Sequence, residues 1–245
     1  MAKGKLSLLS SATTMKRIAS LISRYHQLPF TAADSIPGAV MEGVLEIARG
    51  SSTRVLRTYD FVDVVDEPNG FGWQVKSTKP GTPVTWKRAK LPDAAQRRAF
   101  ARTSKAAAQK VGAELIEFCN EHAVESLHKF NLDEIGYSRL IVRNNNVATY
   151  FERPLISKAR PTLFKASDFT WRWTESRASA TQQSSLAGYD SRERRWFSWH
   201  SENQLHFNNE SAWWPQIGDP HRIDFALPTT KLSIDTVLEW LESLD

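Results

Sequence analysis

The chain has 245 residues, of which 41% are apolar and 24% charged. It is one large domain or two small ones, long enough to bury a core without staples, and its composition excludes a disordered chain, a collagen-like repeat and a disulfide scaffold. The single cysteine, Cys119, has no partner for an internal disulfide, so a reducing compartment is expected; no apolar run is long enough to span a membrane.

The net charge of +5 is unevenly placed. Residues 1–30 hold Lys3, Lys5, Lys16, Arg17 and Arg24 and no acid. Met15, Ile18, Leu21 and Ile22 recur there at helical spacing, so residues 1–30 read as a basic arm with a first helix. An organelle transit peptide is the alternative. Residues 77–112 hold nine Lys and Arg against Asp93 alone. A patch of this kind attracts a polyanion such as nucleic acid, and a solvated helix face is the plain alternative.

In chain order, Asp34-Ser35-Ile36-Pro37 predicts a helix start and Gly50 its stop. Glu42 and Glu46 share one face of that helix. Arg54–Asp66 and Gly72–Thr78 read as the two strands of a hairpin around the turn Glu67-Pro68-Asn69-Gly70. A long helix is predicted over 93–119, with a short one at 121–130 that continues it. Strands follow at 140–142 and 147–151. Seven of the nine tryptophans lie between Trp171 and Trp240, where strands are predicted at 168–173, 195–200 and 204–208. Trp171 with Trp173, and Trp196 with Trp199, are each expected on one sheet face, as core. Residues 174–194 read as a long polar loop, and 232–244 as an amphipathic closing helix. The order predicts a mixed α/β (α+β) domain with a central sheet flanked by helices. It is taken as a single domain, 1–245, with a core over about 34–155 and an aromatic, polar part over about 156–245.

The stretch with most chemistry is the hairpin. Strand period two puts Gln74 and Lys76 on one face, with Val75 on the other. A turn centred on Pro68 and Asn69 sets Asp63 opposite Gln74; a bulge would bring Asp60 there instead. One acid, one amide oxygen and one ammonium then converge. This set suits metal-assisted phosphodiester hydrolysis: a carboxylate binds Mg²⁺, and the lysine orients water or offsets charge on the phosphorane. Glu42 could supply a second oxygen. The plain alternative is a set of cross-strand pairs on an exposed sheet face.

Asp60-Phe61-Val62, followed by Gln74-Val75-Lys76, resembles the PD-(D/E)xK nuclease motif, and Glu42 matches the helical glutamate common in that superfamily. Tyr59 stands where the family has proline, and Gln74 where it has Asp or Glu. The motif resemblance covers residues 36–79, and the aromatic, polar C-terminal half is similar to type II restriction endonucleases. The resemblance implies a restriction-endonuclease-like fold and Mg²⁺-dependent, sequence-specific cleavage of double-stranded DNA leaving 5′-phosphates. It also implies a homodimer, a cognate DNA methyltransferase and a bacterial or archaeal cytoplasm. Asp60 is then the first metal ligand, with Asp63 its rival, Gln74 the second ligand, Lys76 the water-positioning cation and Glu42 a supporting acid.

Lys87, Arg88, Lys90, Arg97, Arg98 and Arg102 are candidates for phosphate contacts. Base readout is expected from the segment 172–210, with Arg172, Arg177, Gln182, Gln183, Asn203 and Gln204 among the candidates. Gln74 keeps open a second reading, a non-catalytic DNA-binding protein on a degenerate nuclease fold. A third, an RNA-processing or organellar protein, depends on a cleaved N-terminus.

Overall fold

The computed structural model describes residues 7–55, 60–143, 146–175, 184–200 and 203–243. They form a mixed α/β fold with two sheets. Helix α1 (Ala12–His26) starts at Ser11, whose Oγ accepts a hydrogen bond from the Thr14 amide at 3.2 Å. It buries Met15, Ile18 and Ile22 at the expected spacing. Helix α2 (Gly38–Arg49) ends at Gly50, which takes the left-handed conformation the stop requires, with φ 74°. Both helices cover one face of the first sheet and share a core with Val64, Trp73, Val75, Leu140 and Tyr150.

That sheet has the strand order β1 (Thr53–Arg54), β2 (Val64–Asp66), β3 (Phe71–Thr78), β5 (Glu134–Val142), β6 (Val147–Ser157) and β11 (Arg222–Ala226). Strands β2 and β3 pair antiparallel across the expected turn, with Gly70 at φ 72°. Strands β3 and β5 pair in parallel, joined through α4 (Lys105–Lys129). The second sheet is antiparallel throughout, in the order β4 (Val84–Arg88), β10 (Gln204–Phe207), β9 (Arg195–Trp199), β8 (Ser185–Tyr189), β7 (Thr170–Thr174). Its apolar face, α4 and the other face of the first sheet share one core.

Several expectations change. The helix predicted over 93–119 divides into α3 (Ala94–Ala101) and α4, because Ser104 caps a new start by accepting from the Ala107 amide. Residues 60–63 precede β2 rather than extending it. The loop expected over 174–194 contains β8, held between β7 and β9. Strands β4 and β11 were hidden, the first inside the basic run. Trp171 and Trp199 are core, as expected. Trp196 and Trp199, three apart, reach the same cluster because of a bulge between Gly188 and Tyr189. The closing helix is α5 (Ile234–Glu242). Among the described residues no helix is long and apolar enough to cross a membrane.

Helix α4 lies so close to β7 that a Cβ added at Gly112 would overlap the Trp171 ring. An alanine there gains ~1 kcal/mol of helix propensity, but overpacking against a buried indole costs ~1–3 kcal/mol or more. The clash wins, because Trp171 is itself buried and has no free direction. Gly112→Ala is expected to lower the urea midpoint, and an unchanged or higher midpoint would show that the helix can slide.

Candidate functional site

Four elements meet at a cleft of about 500 Å³ lined by Gly38, Asp60, Asp63, Gln74, Lys76, Trp86, Lys87 and Arg88, with parts of the 77–85 segment. The antiparallel register ends with Val64 opposite Trp73, and Asp63 follows immediately outside β2. The Asp63 amide donates to the Trp73 carbonyl at 2.8 Å, and its Oδ2 accepts from the Val75 amide at 2.7 Å. Lys76 Nζ lies 3.7 Å from the same Oδ2. Asp60 is placed differently: its carboxylate holds Lys129 Nζ through both oxygens, at 3.0 and 2.9 Å. Both acids line the cleft, Asp63 bonded to β3 and paired with Lys76, Asp60 paired with Lys129 of α4, because the chain turns between 60 and 63 instead of running on as a strand.

Gln74 is 2% exposed. Its Nε2 donates to the Trp86 carbonyl at 2.9 Å, which fixes the amide's orientation, since the reverse would set oxygen against oxygen. Oε1 is left buried with no hydrogen-bond partner. A buried acceptor left without a partner is costly. Asp63 and this oxygen fit a hard divalent cation, which takes one or two carboxylates and keeps most of its waters. Among the described residues no three His, Cys, Asp or Glu side chains cluster as a metal group, so amide, water and phosphate oxygens would complete the shell.

Glu42 stands on α2, near enough to Asp63 and Lys76 for their charges to act on its carboxyl. Burial raises its carboxyl above the ordinary value, Asp63 raises it further, and Lys76 and Arg54 oppose both. A carboxyl raised in the fold binds its proton more tightly than the unfolded chain does, so stability falls as pH rises through that range. Glu42→Gln should therefore raise Tm at neutral pH, and the gain should vanish below about pH 4, where both states are protonated. A gain that persists in acid would trace instead to packing.

Lys87 is 7% exposed and enters the cleft from β4, its Nζ donating to the Asp60 carbonyl oxygen at 2.9 Å. Burial holds its ammonium below the ordinary value; Cys119 pushes the other way, Lys76 adds to the lowering, and Asp63 and Asp60 oppose it. Cys119 is buried in α4, its thiol pushed up to about 12 by burial, and is inert packing.

The expected DNA contacts divide. Arg88 is exposed on the cleft rim, and Lys90 is exposed beyond it. Arg97 pairs with Glu114 of α4 and donates to the Pro92 carbonyl. Arg98 donates to Asn203 Oδ1 at 2.9 Å and lies over Trp199. Arg102 pairs with Glu175 at 2.9 Å and lies over Trp173. The basic run is thus partly answered by the protein's own acids and indoles, where a free phosphate-binding row was expected. Arg172 pairs with Glu193 at 2.7 Å and stacks on Tyr189. Arg177, Gln182 and Gln183 lie outside the described residues.

Gln204, opposite Arg88, accepts a hydrogen bond from His206 Nε2 through its Oε1 at 2.9 Å. Register places Arg172, Ala187, Ser198, His206 and Thr85 in one row, on the face of the second sheet that alternates with the Trp171 face against α4. His206 and Thr85 are the members that sequence reasoning missed. The alternation of Leu205 and Phe207 with Gln204 and His206 was the signal for the former; Thr85 needed the pairing of β4 with β10. His200 packs on His206, and its imidazole is held down to about 4, by burial first and by His206 and Arg195 next.

Compared with known proteins, the chain matches no family model, no curated protein and no solved structure.

Proposed function

We propose that this protein is a Mg²⁺-dependent endonuclease acting on double-stranded DNA. One observation carries the reading: Asp63, Gln74 and Lys76 line one cleft, with the Lys76 ammonium 3.7 Å from Asp63 and the charge of Glu42 within reach of both. Asp63 and Gln74 would hold the ion, and Glu42 would bind its water shell. When bound, the ion supplies Lewis-acid polarisation of a phosphoryl oxygen and a more acidic water. Lys76 places an ammonium beside Asp63, where it offsets charge developing on the phosphorane. Arg88 on the rim, and Gln204 and His206 on the adjoining strand, lie along a polar sheet face that suits a duplex. The reading carries with it a specific recognition site, a homodimer, a cognate methyltransferase and a bacterial or archaeal cytoplasm.

A second reading, a DNA-binding protein without catalysis, draws on the neutral amide at Gln74 and on the Lys76 ammonium that already answers Asp63. The full chain with long mixed-sequence duplex DNA, in Mg²⁺ and in EDTA, separates the two. Discrete fragments in Mg²⁺ alone support the nuclease. Salt-sensitive binding without any cleavage sinks it and leaves the binding protein.

A further inference from the structure

The cleft is short of negative charge for a phosphodiesterase site that would hold two metal ions. Asp63 is answered by Lys76 at 3.7 Å, and Asp60 by Lys129 at 2.9 Å. Gln74 lines the same cleft with an amide, whose one orphan oxygen is neutral. Lys87 and Arg88 add positive charge to the same walls. Lys87 differs from every other cation there. It is buried, it comes from the second sheet, and the Asp60 backbone carbonyl tethers its ammonium. A backbone tether leaves the position of the charge independent of the Asp60 side chain. Two divalent ions would need more carboxylate than these walls offer, and the second would have to approach a desolvated ammonium, where repulsion is poorly screened.

We propose that Lys87 stands where a second divalent ion would otherwise bind, so that the cleft takes a single divalent cation per chain. This rests on the nuclease reading and deepens it. The Lys87 ammonium would supply the cleft with a fixed positive charge that needs no recruitment from solution. Lys76 and Lys87 then have different tasks: the first sits beside the Asp63 carboxylate, the second is held on β4 by the Asp60 carbonyl.

The test counts ions. Mn²⁺ is titrated into the full-length protein and the bound ion is followed by electron paramagnetic resonance, for the natural sequence, Asp63→Asn, Lys87→Gln and Lys87→Glu. Circular dichroism checks each fold. The natural chain should bind one Mn²⁺, and Asp63→Asn should lose it. Lys87→Gln, which removes the repelling charge, should bind the ion about tenfold more tightly. Lys87→Glu should take up a second. Two ions in the natural chain would overturn the single-ion inference and leave the nuclease reading standing. Unchanged affinity in Lys87→Gln would overturn it as well, and this variant decides the matter if the glutamate variant does not fold. No Mn²⁺ binding by the natural chain would overturn both the inference and the metal-dependent reading beneath it.

Discussion

Asp63→Asn should reduce Mg²⁺-dependent DNA cleavage by ~10²–10⁴-fold, the range typical when a positioned ionisable group is lost, while Asp60→Asn should leave most of it. The two acids are three residues apart, and either could have faced Gln74. Asp63 is the one whose carboxylate accepts from the Val75 amide of β3, with Lys76 Nζ beside it. The asparagine retains a carbonyl oxygen for the Val75 amide, so the strand connection survives and the charge alone is lost. At Asp60 the carboxylate meets Lys129, which is half exposed, and such pairs are worth ~0.2–1 kcal/mol. The Asp60 contact that matters to the cleft is its backbone carbonyl, which holds Lys87 and which no side-chain change removes. Cleavage rates of the two variants, beside their duplex affinities, check this. Equal losses would mean that both acids serve the site, and loss at Asp60 alone would return the motif to the order its sequence spacing suggested.

Glu210→Gln should cost ~3–5 kcal/mol of stability. Arg139 is 1% exposed and Glu210 5%. Arg139 Nε donates to Glu210 Oε1 at 2.6 Å, and the Tyr137 hydroxyl donates to the same oxygen at 2.9 Å. Arg139 also reaches the Leu140 carbonyl and the Thr78 hydroxyl. Removing the carboxylate charge leaves a guanidinium buried without its counter-ion. Arg139→Met alone should be similarly costly, because it strands the carboxylate. The double variant should recover part of the loss, since neither charge is then left alone. Urea unfolding of both singles and the double measures the coupling. A single-variant loss below about 1 kcal/mol would show that water reaches the pair. The network also borders the candidate site: Arg139 is the register partner of Lys76, and Tyr137 of Gln74. A loss of cleavage in these variants would follow from a displaced β3, with duplex binding less affected.

Local pattern was enough for the elements whose residues are close in sequence. Helical spacing in 15–22 predicts α1 because those side chains lie on one face of a single helix. Gly50 and Gly70 mark their turns because each takes a positive φ that a side chain disfavours. The turn at Pro68 and Asn69 sets the register of β2 and β3, which ends with Val64 opposite Trp73 and leaves Asp63 at the next position. Those pieces explain why Gln74, Lys76 and Glu42 could be singled out from spacing alone.

What spacing could not decide depended on contacts between distant residues. That the Asp60 carboxylate meets Lys129, 69 positions away, could not be read from spacing. Lys87 and Arg97 look alike in a basic run, yet β4 buries the first at the cleft and Glu114 answers the second. Strand β11 is a weak local pattern that becomes a strand only on meeting β6. Arg139 reads as an ordinary strand arginine until Glu210, 71 positions on, neutralises it. The sequence by itself determined the helices, the turns and the hairpin register, because backbone sterics and side-chain periodicity act over a few residues. Only the tertiary structure decided which charges stand at the cleft and which are neutralised within the protein, because burial and ion pairing depend on what else arrives at the same point in space.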